Sequence, residues 1–162
     1  MLNSLRLAAI SASVLLCVAS CGLAACIVPT NADALQKELL ADLNAERTSR
    51  GFDPLALNSA LVKAAQGHAC DNARRLSISH VSSDGGTLKT RLRKAGYKYR
   101  AAAENTGRGF GTAERAVTWW MNSPKHRINI LYPEMREIGI GIATSDAPDN
   151  KLHWVVNFGV SR

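Results

Sequence analysis

Leu35, Leu39 and Leu43 recur at every fourth residue, with Arg47 next in the series. This spacing predicts an amphipathic helix from Ala34 to Arg50 that Gly51 stops. After the Asp53-Pro54 turn, Asn58 is placed to cap a second helix running to about Leu76. It carries Leu61, Ala65, Ala69 and Leu76 on or near one face, and His68 beside that face as a packed core or boundary residue. Ser77 to Gly86 reads as a serine- and glycine-rich loop containing His80. Thr87 to Ala95 reads as a short basic helix closed by Gly96. Tyr97 to Ala103 predicts a strand, followed by Glu104-Asn105 and a glycine-rich turn, and Thr112 caps the helix bearing Trp119 and Trp120. Ser123-Pro124 breaks that helix and starts another, with Trp120, Ile128 and Leu131 expected in the core. Glu137 to Thr144 and Lys151 to Val160 form an apolar hairpin, in which Gly139 and Gly141 let the strand pass close to a neighbour. Helices before, between and around a few strands imply an α+β fold, small and layered, with an antiparallel sheet.

The pattern contains no repeat and no long linker, and 162 residues suit one domain with its own core. The N-terminus stands apart. Met1 to Arg6 is short and positively charged, and Leu7 to Val28 carries no charge, the pattern of a secretory signal. Leu23-Ala24-Ala25-Cys26 looks like a lipobox, with Cys26 as the lipidated first residue of the mature chain. Val18-Ala19-Ser20-Cys21 fits the same pattern and makes Cys21 the alternative. The division expected is a signal peptide over 1–26, a tether over 27–33 and the folded domain over 34–162. The chain is then an extracytoplasmic protein, held at a membrane by a lipid anchor. Cleavage without lipid, or retention of the apolar segment as a span, are the alternatives. A lipidated cysteine leaves Cys70 as a small buried apolar residue. A Cys26–Cys70 bridge requires an unlipidated Cys26.

Charge adds one feature. The formal net charge is +7, and Lys89, Arg91, Arg93, Lys94, Lys98 and Arg100 follow one another with no acid between them. Such a face meets an anionic lipid or an acidic envelope polymer, or is a solvated helix surface. Only Tyr97 and Tyr99 interleave with these cations, which argues against a nucleic-acid partner.

GxSxG, HExxH, Walker and CxxC motifs are absent, and the GRGFG glycines lack dinucleotide-site spacing. His80, Glu104 and His126 remain as candidates. His126 falls in the first turn of a helix, where the positive dipole end keeps an imidazole neutral, as a metal ligand or general base requires. Two imidazoles and a carboxylate match a three-ligand zinc site with an open position. They also match an acid–base group acting on a bound substrate, or a buried polar network.

The order of LNAERTSRGFDPL, AAQGHACDNA, Ser79-His80, AGYKYRAAAEN, WWMNSPKHRINIL, EIGIGIA and VVNFG resembles the CAP superfamily (SCP domain), most of all its bacterial branch, from about Leu35 to Phe158. The resemblance implies an α-β-α sandwich with about three antiparallel strands between helical layers, and a cavity lined by two histidines and two glutamates. His80, Glu104 and His126 match three of these. Ser123 stands where a second glutamate is usual, Lys125 where bacterial members carry glycine, and Thr106 where isoleucine is common. Zinc held by His80 and His126 would therefore be weak and would not be a required cofactor. The resemblance implies a non-catalytic binding module whose partner is a lipid, an anionic envelope component or a protein. A metal-assisted hydrolase using the same cavity is the alternative.

Overall fold

A computed structural model describes residues 25–149 and 151–162. Among these, the order is β1 (Cys26–Ile27), α1 (Ala32–Thr48), β2 (Ala56–Leu57), α2 (Ser59–Arg74), α3 (Leu88–Ala95), β3 (Tyr99–Arg108), α4 (Ala113–Asn122), α5 (Pro124–Ile130), β4 (Glu137–Ser145) and β5 (His153–Ser161). The sheet runs β1-β4-β5-β3 with antiparallel neighbours, and the two-residue β2 adds to β4 in parallel. The three long strands are the expected antiparallel core, and the two short ones enlarge the sheet to five.

Strand alternation assigns the two faces. Ile138, Ile140 and Ile142 of β4 and Trp154, Val156 and Phe158 of β5 are buried against Leu35, Leu39 and Leu43 of α1 and Val117 and Trp120 of α4. The intervening positions are small, Gly139, Gly141 and Ala143, and α2 lies on them. A Cβ at Gly139 would stand 2.0 Å from the Leu61 carbonyl carbon, and one at Gly141 would stand 2.3 Å from that of Ala65. The helix backbone therefore rests directly on the strand, and only glycine permits the approach. The result is an α-β-α sandwich, with α1, α4 and α5 on one side and α2 and α3 on the other.

Local signals explain the element ends. Asn58 Oδ1 accepts from the Ala60 and Leu61 amides, and the Thr112 hydroxyl accepts from the Arg115 amide. Gly96, at φ 85°, closes α3. Arg47 continues the leucine series inward and is fully buried. It donates to the carbonyls of Asp53 (2.8 Å), Ile130 (2.6 Å), Tyr132 (3.1 Å) and Met135 (3.0 Å), so a helix-face cation clamps the end of α5 to α1.

Four expectations are corrected. Cys26 is bonded to Cys70, so its sulfur is not available for lipid and Cys70 is not a free apolar residue. The 27–33 tether is not free chain. Cys26 and Ile27 pair with Ser145 and Thr144, and α1 begins at Ala32. Ile128 is 64% exposed and the core position is Ile130, because α5 turns its opposite face inward. β3 extends to Arg108, so Glu104 and Asn105 lie mid-strand rather than at its end. The signal segment and Cys21 lie outside the described residues.

The glycine contact sets a test. Gly139→Ala is expected to lower stability by about 2–3 kcal/mol, because the added methyl meets helix backbone that cannot swing aside. Urea unfolding measures it, and a midpoint unchanged from wild type would contradict the direct seating of α2 on β4.

Candidate functional site

Glu104 is the centre of the site. β3 alternation points it toward α2 and α3, next to its cross-strand partner Asn157, and its side chain is only 3% exposed. Arg91 Nη2 donates to Oε2 at 2.6 Å and His80 Nδ1 donates to Oε1 at 2.9 Å. With its amide nitrogen turned toward the site, Asn157 donates to Oε2 at 3.0 Å. A buried carboxylate is stable only when its charge and lone pairs are answered in this way.

Arg91 is the residue that sequence reasoning misplaces. The run of cations puts it on an open basic face with Arg93 and Lys94. Instead it folds inward, with 9% of its side chain exposed. Its Nη1 also donates to the carbonyls of His80 (3.0 Å) and Gly86 (2.9 Å) and to Ser82 Oγ (3.1 Å). The signal that could have found it is spacing: Leu88, Leu92 and Ala95 pack inward, and Arg91 completes their i, i+3, i+4, i+7 stripe whereas Arg93 lies off it.

The His80 loop is held carbonyl by carbonyl. His68 Nε2 (2.7 Å) and Asn72 Nδ2 (3.0 Å) donate to Ser79, Thr106 Oγ1 donates to Ile78 (3.0 Å), and His153 Nδ1 donates to Ser77 (2.9 Å). Burial pushes His68 below the usual histidine range. Burial and Arg108 together push His153 down to about 4, so both rings are neutral props. His68 is thus the packed histidine expected. Thr106 does more than edge the cavity, because its hydroxyl ties the loop to β3.

His80 and Glu104 are brought into direct contact, and His126 is not joined to either by a hydrogen bond. His126 Nδ1 bonds Ser123 Oγ at 2.7 Å, and its ring lies 4.9 Å from that of the half-exposed Trp119. Ser123 therefore does not cap α5 with its side chain. It orients the imidazole, from the position where the family resemblance leaves a carboxylate missing. Burial, then His80 and Lys125, hold His126 below its ordinary range, which favours the neutral ring. Asn105 faces the opposite side of β3. It donates to the His126 carbonyl at 3.1 Å and accepts from Asn129 at 2.8 Å, which fixes α5 along the strand edge.

These residues do not fit a three-ligand zinc centre. Both Glu104 oxygens are taken, one by a guanidinium, so at most the outer ring nitrogens of His80 and His126 remain as donors. Among the described residues no group of three His, Cys, Asp or Glu side chains could hold a metal ion. A carboxylate so neutralised is also a poor general base, since removing a proton from substrate would require breaking the ion pair.

Comparisons with known proteins agree on the fold. The profile described as "Cysteine-rich secretory protein family" (CAP) matches residues 40–158. The uncharacterized protein YkwD of Bacillus subtilis is 34% identical over 117 residues, covering 72% of this chain and 46% of YkwD. The chain spans less than half the length of the curated relatives it matches. An outer surface protein from Borrelia burgdorferi superposes with TM-score 0.74 at 23% identity, covering 86% of this chain and 99% of that one. An extracellular protein containing a SCP domain from Bacillus anthracis superposes with TM-score 0.67 at 24% identity, covering 82% and 45%.

The buried pair predicts a specific energetic signature. Glu104→Leu or Arg91→Met alone is expected to cost about 3–5 kcal/mol, because each leaves the other charge buried without a partner. The double variant is expected to cost clearly less than the sum. A denaturant double-mutant cycle measures the coupling, and strict additivity would contradict the pairing.

Proposed function

We propose a function from one premise, that the chain belongs to the cysteine-rich secretory protein family, CAP. It is a binding module of bacterial type that works outside the cytoplasm and retains a lipid, an anionic envelope component or a protein rather than turning over a substrate. The observation that carries the non-catalytic reading is the engagement of both Glu104 oxygens by Arg91, His80 and Asn157. The polar cluster spends its charge internally, and its role is to pin the His80 loop and α3 onto the sheet. What the site leaves outward is binding surface: the half-exposed Trp119 and the exposed Ile78, Val81 and Ile128.

Two features support the extracytoplasmic reading. The Cys26–Cys70 bridge belongs to an oxidising compartment. Two of the similar proteins are described as outer surface and extracellular. Membrane tethering is part of the proposal. With Cys26 engaged, the attachment residue is Cys21, in Val18-Ala19-Ser20-Cys21.

The hydrolase reading is tested by metal analysis after dialysis, together with ester and peptide hydrolysis assays on the wild type and Glu104→Gln. The expected result is substoichiometric zinc and equal background rates in both. One zinc per chain, with turnover lost in Glu104→Gln, would establish the hydrolase instead. The tether is tested by mass spectrometry of the mature N-terminus and by membrane fractionation. Cys21→Ser is expected to release the protein from membranes while Cys26→Ser leaves it attached. The opposite pattern refutes the Cys21 assignment.

A further inference from the structure

The basic run of the sequence is not one surface. Arg91 is spent on Glu104 and Lys94 pairs with Asp84 at 3.0 Å. The remaining four, Lys89, Arg93, Lys98 and Arg100, turn to a different side. There they line one open cleft of about 560 Å³ together with Tyr97, Tyr99 and Arg162, which follows β5. Arg162 is placed by the fold: its amide donates to the Lys98 carbonyl at 3.1 Å and its Nε to the Tyr99 carbonyl at 3.0 Å. Five cations therefore line this cleft with no acidic side chain among its walls, and no ion pair engages any of them among the described residues. Residues 1–24 and Asn150 contain no acid that could do so. All five side chains are exposed; the Glu137 carboxylate lies behind Tyr97 and the Ser161 amide and pairs with none of them, and holding five cations together costs free energy that an anionic ligand would relieve.

We propose that this cleft is a binding site for an anionic polysaccharide, one bearing carboxylate, sulfate or phosphodiester groups along its chain. The class of ligand rests on the extracytoplasmic reading given above; the site itself does not. The lining favours a polyanion over a bilayer. None of the large exposed apolar side chains lines the cleft, so nothing is provided for insertion between lipids. Position favours it too. The cleft lies at the start of β3, paired with the end of β5, whereas Cys26 is paired at the far end of β4 on the opposite side of the sheet. The two points are separated by about ten residues along the strands and three strand spacings across them, roughly 35 Å in all. A domain tethered near Cys26 presents this corner away from its anchor. Nucleic acid is disfavoured because Tyr97 is buried with its hydroxyl donated to Glu137 at 2.5 Å, which leaves Tyr99 as the sole partly open ring of the cleft.

The test is titration of the full mature chain, in detergent, with polygalacturonate, dextran sulfate and neutral dextran, alongside vesicles of phosphatidylcholine with phosphatidylglycerol and a dT oligonucleotide. Two triple variants are compared. One replaces Arg93, Lys98 and Arg100 with Gln. The other replaces Lys37, Lys63 and Arg115 with Gln and removes the same charge elsewhere. Saturable binding to the anionic polysaccharides and not to neutral dextran is expected. It should weaken about tenfold or more, with flatter salt dependence, in the cleft variant and change by less than about twofold in the control. Equal loss in both variants overturns the site. So does preference for vesicles or oligonucleotide, or no saturable binding to either anionic polysaccharide. None of these results alters the zinc and turnover measurements, so this site and the non-catalytic reading fail separately.

Discussion

A carboxylate buried half-way along a strand must be answered, and the answer to Glu104 organises half of this protein. Burial of an ionised side chain is tolerated only when opposite charge and hydrogen bonds replace the water it has lost. Here the replacements come from three places far apart in sequence: Arg91 on α3, His80 on a loop, and Asn157 on β5. Each is thereby fixed in place. Arg91 in turn gathers the carbonyls of His80 and Gly86, so the loop between α2 and α3 is closed around the same guanidinium. The polar cluster costs desolvation and ties loop, helix and strand to one carboxylate.

The other half of the fold depends on the partition of the sheet faces, and this half was legible. The alternation in Glu137–Ser145 sorts isoleucines to one side and glycine or alanine to the other, and the period of two directly predicts which face is crowded and which admits a helix backbone. The four-residue leucine spacing of α1 and the Asn58 and Thr112 caps were equally readable, because each signal is local. The phase of α5 was not. In a helix of seven residues, Ile128 and Ile130 are separated by about 200°, and only the docking of that helix against Asn105, Arg47 and α4 decides which one goes in.

For the site, His80 and Glu104 were identified by the order of motifs and do meet. The residues that complete the arrangement were hidden by their type. An arginine inside a run of cations reads as surface, and only the apolar stripe of Leu88, Leu92 and Ala95 sets Arg91 apart from Arg93. Thr106 reads as a small substitution, yet its hydroxyl reaches a carbonyl 28 residues away. Cys26 reads as the end of a signal segment because Leu23-Ala24-Ala25 precedes it. Only the pairing of β1 with β4, beside α2, shows that it faces Cys70. For Thr106 and Cys26 the missing information was long-range contact, which no local pattern carries.

The eight residues of α3 therefore divide their charges between two tasks. Arg91 stabilises, because it lies on the inward stripe of Leu88, Leu92 and Ala95 and reaches Glu104. Arg93 lines the basic cleft, because it lies on the opposite flank beside Lys89 and the start of β3. The two are mechanically linked: the ion pair that holds α3 on the sheet also sets the rim of the basic cleft. A charge count over the run treats these cations as equivalent. Their energetics differ in kind, since a buried pair is insensitive to salt while an exposed, unpaired cluster is governed by it.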